Sequence, residues 1–468
     1  MPLDASISFF GAAEQVTGSC HLVQWQDKQV LLDCGMVQGG DQVTELNKCR
    51  FPFRPKDIDA VILSHAHIDH SGMLTLLIAR GFQGPIFCSD GTARLLPILL
   101  KDAYQLYVKD LEWQNKQRAR QGKSAIEPCM SLKDVLEVEK RLKPYPYEQT
   151  VDVLPGLALK LHDAGHILGS AIVELWLKGT QAMRHLVFSG DLGNPATVLM
   201  RDPTYIEAAD VVLMESTYGD RDHQGLDNTV EEFAAALDAA HKAGGNVFIP
   251  AFALGRSQEI LYYLGLLYHQ GRLKQKMVVL DSPMAIEITK IYNEMIDEFD
   301  RKDTRIFSKY GAKDLQSFLP ILHLTKDVEE SQALNRIQSG AIIIAGSGMC
   351  NGGRILHHFK HNLWKNINHV VFVGFQAKGT LGRRLIDGET RVKVLGQPLV
   401  VRAAIHTIGG FSAHAGQSQL IEWVSHIQGQ PTVYLVHGEV PALEALQAKL
   451  QQQGMDVHIA RHGQRMAL

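Results

Sequence analysis

The sequence predicts an α/β protein of two units, because two patterns of secondary structure follow each other along its 468 residues. Early apolar segments at 7–10, 21–25 and 30–33 read as strand, turn and strand, which is typical of a buried meander. From about residue 210, short strands alternate with helices of 14 residues, which is typical of a parallel sheet covered on both faces. The chain is too long for one ordinary domain, so we expect two domains or a large insertion.

Individual elements follow from the same patterns. A helix is expected over 71–80 and a long polar helical stretch over 100–148. The parallel-sheet unit is expected to contain helices at 229–242 and 257–270 and strands at 211–214, 246–249, 277–280, 340–344 and 369–372. Further strands are expected at 60–63, 157–161, 171–177, 185–188 and 433–437.

Composition and charge indicate a soluble globular protein. The hydrophobic share is 45%, the charged share is 21%, and 47 basic residues nearly balance 50 acidic ones. A nucleic acid would therefore need a local basic groove, since the whole chain is not a basic surface. The six cysteines form no C-x-x-C pair, the N-terminus has no signal-peptide pattern, and no apolar run approaches a membrane span. We expect reduced thiols and a cytoplasmic location.

A dense cluster of metal-ligating residue types follows the apolar run 60–63. His65, His67, Asp69 and His70 lie within six positions. Imidazole nitrogen and carboxylate oxygen are ligands that zinc accepts. Single histidines on strands are usually core residues, but this density predicts a metal site.

Two later residues and one earlier one extend this hypothesis. His166 lies in a loop between two predicted strands, and Asp191 follows the strand 185–188 beside a glycine. Together with the first cluster they supply further ligands for a two-metal site. Asp33, at another strand end, is either a turn former or a carboxylate that holds a metal-bound histidine in one tautomer.

The cluster 64–70, with Asp33 before it and His166 and Asp191 after it, resembles the metallo-β-lactamase superfamily. Three later segments resemble the additional motifs of its β-CASP branch: Met214-Glu215-Ser-Thr-Tyr-Gly219, Gly410-Phe-Ser-Ala-His414 and Leu435-Val-His437-Gly-Glu439. Four further segments resemble the RNA-cleaving subgroup that includes the pre-mRNA 3′-end processing endonuclease and its prokaryotic counterparts: 250–257, 281–285, 346–354 and 375–383.

The resemblance implies an αββα sandwich with an inserted parallel-sheet α/β (β-CASP) domain. The expected boundaries are 1–207 and 391–468 for the sandwich and 208–390 for the insertion. It assigns one Zn²⁺ to His65, His67 and His166. It assigns a second to Asp69, His70 and His437, with Asp191 bridging both. Asp69 would also orient the nucleophile, His414 would protonate the leaving oxygen, and Glu215 would support His414 or the catalytic loop.

The expected activity is zinc-dependent hydrolysis of RNA phosphodiester bonds, most simply within the strand. Single-stranded RNA is expected to enter a cleft between the two domains. Its phosphates would contact backbone N–H groups and four side chains: Ser347, Arg354, Arg256 and Lys378. A basic cluster at 116–123 is more typical of a solvated helix face than of an RNA contact. A homodimer is left open.

Four alternatives remain open at this stage. A DNA nuclease of the same branch is one, although His437 favours the RNA subgroup. A non-catalytic RNA-processing scaffold subunit is another, although the resemblance finds every ligand present. The roughly 250 residues between Asp191 and His437 disfavour a small thioester or lactone hydrolase. His67 disfavours an oxygen-reducing di-iron protein, which usually has glutamate there.

Overall fold

The computed structural model describes residues 5–38, 50–179, 182–195, 197–325 and 327–468. They divide into two compact units. The first consists of Met1–Pro195, Asp202–Asp222 and His414–Leu468, and the second of Ala196–Arg201 and His223–Ala413. Both boundaries lie later than the expected 207/208 and 390/391. Strand Val211–Glu215 pairs within a sheet of the first unit, and strand Ala404–Thr407 pairs within the sheet of the second.

Two seven-stranded sheets form the first unit. One has, in spatial order, β22 (Arg465–Ala467), β1 (Ala5–Gly11), β2 (Cys20–Trp25), β3 (Lys28–Leu32), β4 (Ala60–Ile62), β5 (Ile86–Ser89) and β6 (Leu142–Tyr145). The other has β21 (Asp456–Ile459), β20 (Thr432–Val436), β11 (Val211–Glu215), β10 (Met183–Phe188), β9 (Ala171–Lys178), β8 (Leu157–Asp163) and β7 (Val151–Leu154). Each sheet is antiparallel on one side and parallel on the other.

The two sheets pack face to face, and helices cover their outer faces. Alternate residues such as Ile7 and Val23 meet Leu159 and Val173 in the core between the sheets. On the outer face of the second sheet, Val212 and Leu435 pack with Trp423 of a covering helix. This is an αββα sandwich. Its helices are Ile68–Ser71, Leu74–Ala79, Asp90–Arg120, Leu132–Arg141, Gln417–Ser425 and Val440–Gln452, with a 3₁₀ turn at Pro55–Asp57.

The second unit contains one fully parallel sheet. Its spatial order is β14 (Leu322–Leu324), β13 (Met277–Leu280), β15 (Ala341–Ala345), β12 (Val247–Pro250), β16 (His369–Phe372) and β19 (Ala404–Thr407). A hairpin joins β17 (Arg391–Val394) and β18 (Gln397–Val400). Its helices are Leu226–Ala243, Arg256–His269, Pro283–Glu294, Arg301–Lys309, Leu315–Phe318, Val328–Ala333, Arg354–Asn362 and Leu381–Ile386, with 3₁₀ turns at Ile296–Glu298 and Leu334–Arg336.

Most predicted elements are found within a few residues of their expected bounds. The exception is the stretch 100–148, where two helices are followed by β6. β6 pairs in parallel with β5 although its sequence, Leu-Lys-Pro-Tyr, is not a typical strand sequence. Edge pairing in a sheet overrides local propensity here. The thiols of Cys20, Cys34, Cys88, Cys129 and Cys350 are free, and Cys49 lies outside the described residues. Among the described helices, none has the length and apolarity needed to cross a membrane.

Candidate metal and catalytic site

The histidine-rich stretch begins where β4 leaves the buried sheet. His65 and His67 lie in the loop, and Asp69 and His70 lie in the short helix Ile68–Ser71. Backbone hydrogen bonds hold this segment from the side: the N–H of Cys34 donates to the carbonyl of His70 at 2.8 Å, and that of Met36 donates to Ile68 at 3.0 Å. The segment is therefore fixed against the chain that follows β3.

Asp33 orients two of the histidines. Its Oδ2 accepts a hydrogen bond from Nδ1 of His70 at 2.7 Å and one from Oγ of Ser64 at 2.9 Å. Oγ of Ser64 in turn lies 3.1 Å from Nδ1 of His65, which can donate to it. In their neutral forms, both rings then keep Nε2 without a proton, as a metal ligand requires. Asp33 is fully buried and has a φ of 60°.

Three ring nitrogens converge in a first group. Nε2 of His65 lies 3.0 Å from Nδ1 of His67, which lies 3.3 Å from Nε2 of His166. Two nitrogens bound tetrahedrally to one zinc are about 3.3 Å apart. Burial lowers the pKa of His65, and it lowers that of His67 to about 4, which favours the neutral, metal-binding form.

Asp69, His70 and His437 form a second group. Nε2 of His437 lies 3.2 Å from Nε2 of His70 and 3.7 Å from Oδ2 of Asp69. Nδ1 of His437 lies 3.1 Å from Oγ1 of Thr217, which leaves Nε2 for a ligand. Burial alone would raise the pKa of Asp69, but the imidazole of His437 and the other nearby histidines hold it at about 2.

Asp191 lies between the two groups. Its Oδ2 is 3.5 Å from Nε2 of His65 and 3.6 Å from Nε2 of His166, and its Oδ1 is 3.3 Å from Nε2 of His70. Oδ1 is buried and accepts no hydrogen bond of good geometry from the described residues. A buried carboxylate oxygen without a donor is costly, and a cation would satisfy it. The donor set and its spacing thus fit metal ions.

His414 and Glu215 form a pair beside this site. Nδ1 of His414 donates a hydrogen bond to Oε1 of Glu215 at 3.1 Å. The ring centroids of His414 and His166 lie 4.5 Å apart. Glu215 is fully buried and also accepts the N–H groups of Leu192 at 2.7 Å and Thr217 at 3.2 Å. Burial alone would lower the pKa of His414, but the Glu215 carboxylate raises it to about 9.

Glu215 also lies within ligand distance of Asp191 and His437. Its oxygens already accept hydrogen bonds from two backbone groups and from His414, so we assign it to His414 rather than to a metal. Three side chains at the site are partly exposed: His67, Asp69 at 19% and His414 at 23%. A substrate would meet these groups first.

The four predicted RNA contacts lie in the second unit, and both arginines among them already have acidic partners. Arg256 pairs with Glu259, and Arg354 pairs with the buried Asp281, which also accepts from His358. Oγ of Ser347 donates to the carbonyl of Gly352 within its own loop. Lys378 is exposed. Contact of these four residues with RNA stays a prediction.

Sequence reasoning did not find Ser64 and Thr217, which control the tautomers of His65 and His437. Ser64 precedes the first histidine of the motif, and Thr217 lies two residues after Glu215, so each is adjacent to a recognised motif. A hydroxyl in such a place is common, and only the folded chain shows which ring nitrogen it contacts.

Gly169 holds the loop of His166 against the helix Asp90–Arg120. Its φ is +81°, and an added Cβ would lie 2.3 Å from the backbone nitrogen of Thr92. We expect Gly169→Ala to displace the loop, lower the free energy of unfolding by about 2 kcal/mol or more, and reduce bound metal. Chemical denaturation would measure the free energy of unfolding, and elemental analysis would measure the bound metal.

Gly122→Ala is the matched control, because Gly122 has a φ of +68° with open space around it. Equal behaviour of the two variants would contradict the prediction.

Comparison with known proteins agrees with this geometry. Residues 13–243 match the model of the metallo-β-lactamase superfamily, 257–385 the β-CASP domain, and 398–460 the Zn-dependent metallo-hydrolase RNA specificity domain. The chain therefore belongs to the β-CASP branch of the metallo-β-lactamase superfamily, a family of metal-dependent hydrolases. The predicted family and fold class are confirmed.

Two curated relatives and one solved structure illustrate the similarity. The chain is 41% identical to Ribonuclease TTHA0252 of Thermus thermophilus over 97% of its own length and 98% of the relative. It is 30% identical to Transcription termination factor FttA of Methanocaldococcus jannaschii, over 92% of its own length and 67% of the relative. A crystal structure of a protein of unknown function from Enterococcus faecalis V583 shares the fold, with a TM-score of 0.57, 11% identity and coverage of 99% of this chain and 100% of that one.

Proposed function

We propose that this protein is a zinc-dependent ribonuclease that hydrolyses phosphodiester bonds within single-stranded RNA. The observation that carries the proposal is the pair of ligand groups with Asp191 between them. Two further findings support RNA as the substrate: the match to an RNA specificity domain, and a relative named ribonuclease at 41% identity.

The ligand chemistry favours two zinc ions. Five imidazoles and two carboxylates are a borderline donor set, whereas magnesium and calcium prefer oxygen ligands alone. His65, His67 and His166 would hold one ion. Asp69, His70 and His437 would hold the other, and Asp191 would contact both. When bound, such ions activate a water molecule and neutralise charge on a phosphate.

Protein groups would supply the remaining steps. Asp69, the partly exposed carboxylate, would orient the attacking water by accepting its hydrogen bond. Glu215 accepts from Nδ1 of His414, so Nε2 of that ring is the atom that would give its proton to the leaving oxygen. A positioned acid of this kind contributes about 10²–10⁴-fold to the rate. Asp33 would keep His70 and, through Ser64, His65 in the ligand tautomer.

One long RNA labelled at either end tests the proposal. We expect zinc-loaded wild type to give internal fragments and the Asp69→Ala, His70→Ala double variant to give none, with reduced zinc content. A ladder from one end would make the enzyme an exonuclease. Equal cleavage of blunt duplex would remove the single-strand preference.

Two outcomes of this experiment would overturn the function itself. Cleavage of the matching DNA alone would make the protein a DNA nuclease. Two bound zinc ions with no turnover on either nucleic acid would indicate a scaffold subunit.

A further inference from the structure

Two phenylalanines are exposed at one edge of the parallel sheet in the second unit. Phe252 follows β12 and Phe375 follows β16, two neighbouring strands, and their exposed fractions are 43% and 53%. Both lie just beyond the carboxyl ends of these strands, the edge at which open parallel sheets bind ligands. Neither residue is used by the candidate metal site.

The loop after β15 brings the two residues close together. The ring of Phe252 packs on Gly348, where an added Cβ would lie 2.8 Å from a ring carbon. On the other side, Nε2 of Gln376 donates to the carbonyl of Gly348 at 2.9 Å and to that of Phe375 at 3.0 Å. The loop that carries Gly348 thus contacts the ring of Phe252 and, through Gln376, the backbone at Phe375.

Hydrogen bonds fix the backbone on which the rings stand. Oγ of Ser257 donates to the carbonyl of Phe252 at 2.7 Å, and Gln376 is 5% exposed. An exposed ring on a fixed backbone loses little conformational entropy when it binds a flat partner. The rings are therefore preorganised and accessible.

Charge and polarity around the rings favour a polyanion with flat groups. Gly348 lies against the ring of Phe252 and Gly374 directly precedes Phe375, so polar backbone borders both residues, whereas many protein interfaces are marked by one broad apolar patch. Lys378, three residues after Phe375, is exposed and forms no ion pair with the described acidic residues. In contrast, Arg256 and Arg354 are neutralised by Glu259 and Asp281.

We propose that Phe252 and Phe375 form an aromatic platform on which unpaired bases of single-stranded RNA stack, with Lys378 beside the backbone phosphates. This inference rests on the proposed function and adds a base-contacting site to it. Every base has a π-face, so the platform would select unpaired strands over duplex without reading their sequence. Stacking on one ring is expected to be worth about tenfold in affinity.

Equilibrium binding of a 12-nucleotide RNA to the full chain, in chelator so that no cleavage occurs, tests the platform. The second ligand is the same ribose-phosphate strand without bases. We expect Phe252→Ala and Phe375→Ala each to weaken binding of the RNA about tenfold, and the double variant more. Binding of the abasic strand should stay within twofold. Phe375→Tyr should bind like wild type, because it keeps a π-face.

Trp364→Ala is the matched control, since Trp364 is 50% exposed in the same unit but lies outside these loops. The platform is refuted if the double variant binds both strands like wild type, or loses the RNA and the abasic strand equally. A changed oligomeric state of the double variant in sedimentation would make the rings an interface between copies and would also refute it.

Cleavage by wild type separates this inference from the proposed function. If RNA binding depends on the bases and on the two rings, but zinc-loaded protein does not cleave RNA, the platform is supported and the nuclease function is refuted. If the protein cleaves RNA but binds it equally well without the two rings, the nuclease function is supported and the platform is refuted.

Discussion

Asp191→Ala is expected to abolish cleavage of RNA, with a loss of more than about 10³-fold in kcat/KM. The two oxygens of Asp191 face different histidine groups, Oδ2 towards His65 and Oδ1 towards His70. Removing the carboxylate would take the proposed shared ligand from both groups and leave the facing imidazoles without a common negative partner. Zinc content should therefore fall well below two equivalents per chain, which elemental analysis after dialysis would measure.

Asp152→Ala is the control for this prediction, because Asp152 is an exposed residue of β7 in the same unit. It should retain zinc and activity. Two tightly bound zinc ions in Asp191→Ala would contradict the assignment of Asp191 as the shared ligand. Unchanged activity would contradict the location of the active site.

His414→Ala is expected to lower kcat by about 10²–10⁴-fold while zinc content stays near that of wild type. The ring of His414 is held by Glu215 and lies beside His166, but none of the ligand groups found among the described residues includes it. Its role would then be proton transfer to the leaving oxygen, which affects turnover more than metal affinity. Single-turnover cleavage together with elemental analysis would separate the two effects.

Glu215→Gln should show a smaller loss in kcat, because glutamine can still accept from Nδ1 of His414 but carries no charge. His458→Ala, which removes an exposed histidine paired with Asp456, is the matched control. A parallel loss of zinc and activity in His414→Ala would make His414 a structural residue or a ligand instead of the acid.

The order of elements and the residue types of the site could be read from the sequence. The motif from His65 to His70 and the alternation of strands and helices in the second unit are both local features. Short-range patterns were therefore enough to predict them. β6 was missed because its residues form a strand only through pairing with β5. The pairing of β22 with β1 joins the two ends of the chain and has no local pattern at all.

The partners of charged side chains also required the structure. Arg256 and Arg354 appear in glycine-rich loops as free positive charges, yet they pair with Glu259 and Asp281. Phe252 and Phe375 differ from expectation in the opposite direction: phenylalanine is usually a core residue, but both of these side chains are exposed. Burial depends on which loops meet at the carboxyl edge of the sheet, and single positions do not encode it.

The sequence by itself determined the family, the fold class and the candidate metal ligands: the cluster 65–70 through residue type and short spacing, and the distant His437 through resemblance to a known family. The tertiary structure decided which atoms of these ligands approach each other. His437 lies 3.2 Å from His70 although 367 positions separate them, and Asp191 turns one oxygen to each group. Such contacts arise from the packing of two sheets against each other, and chain distance carries no information about them.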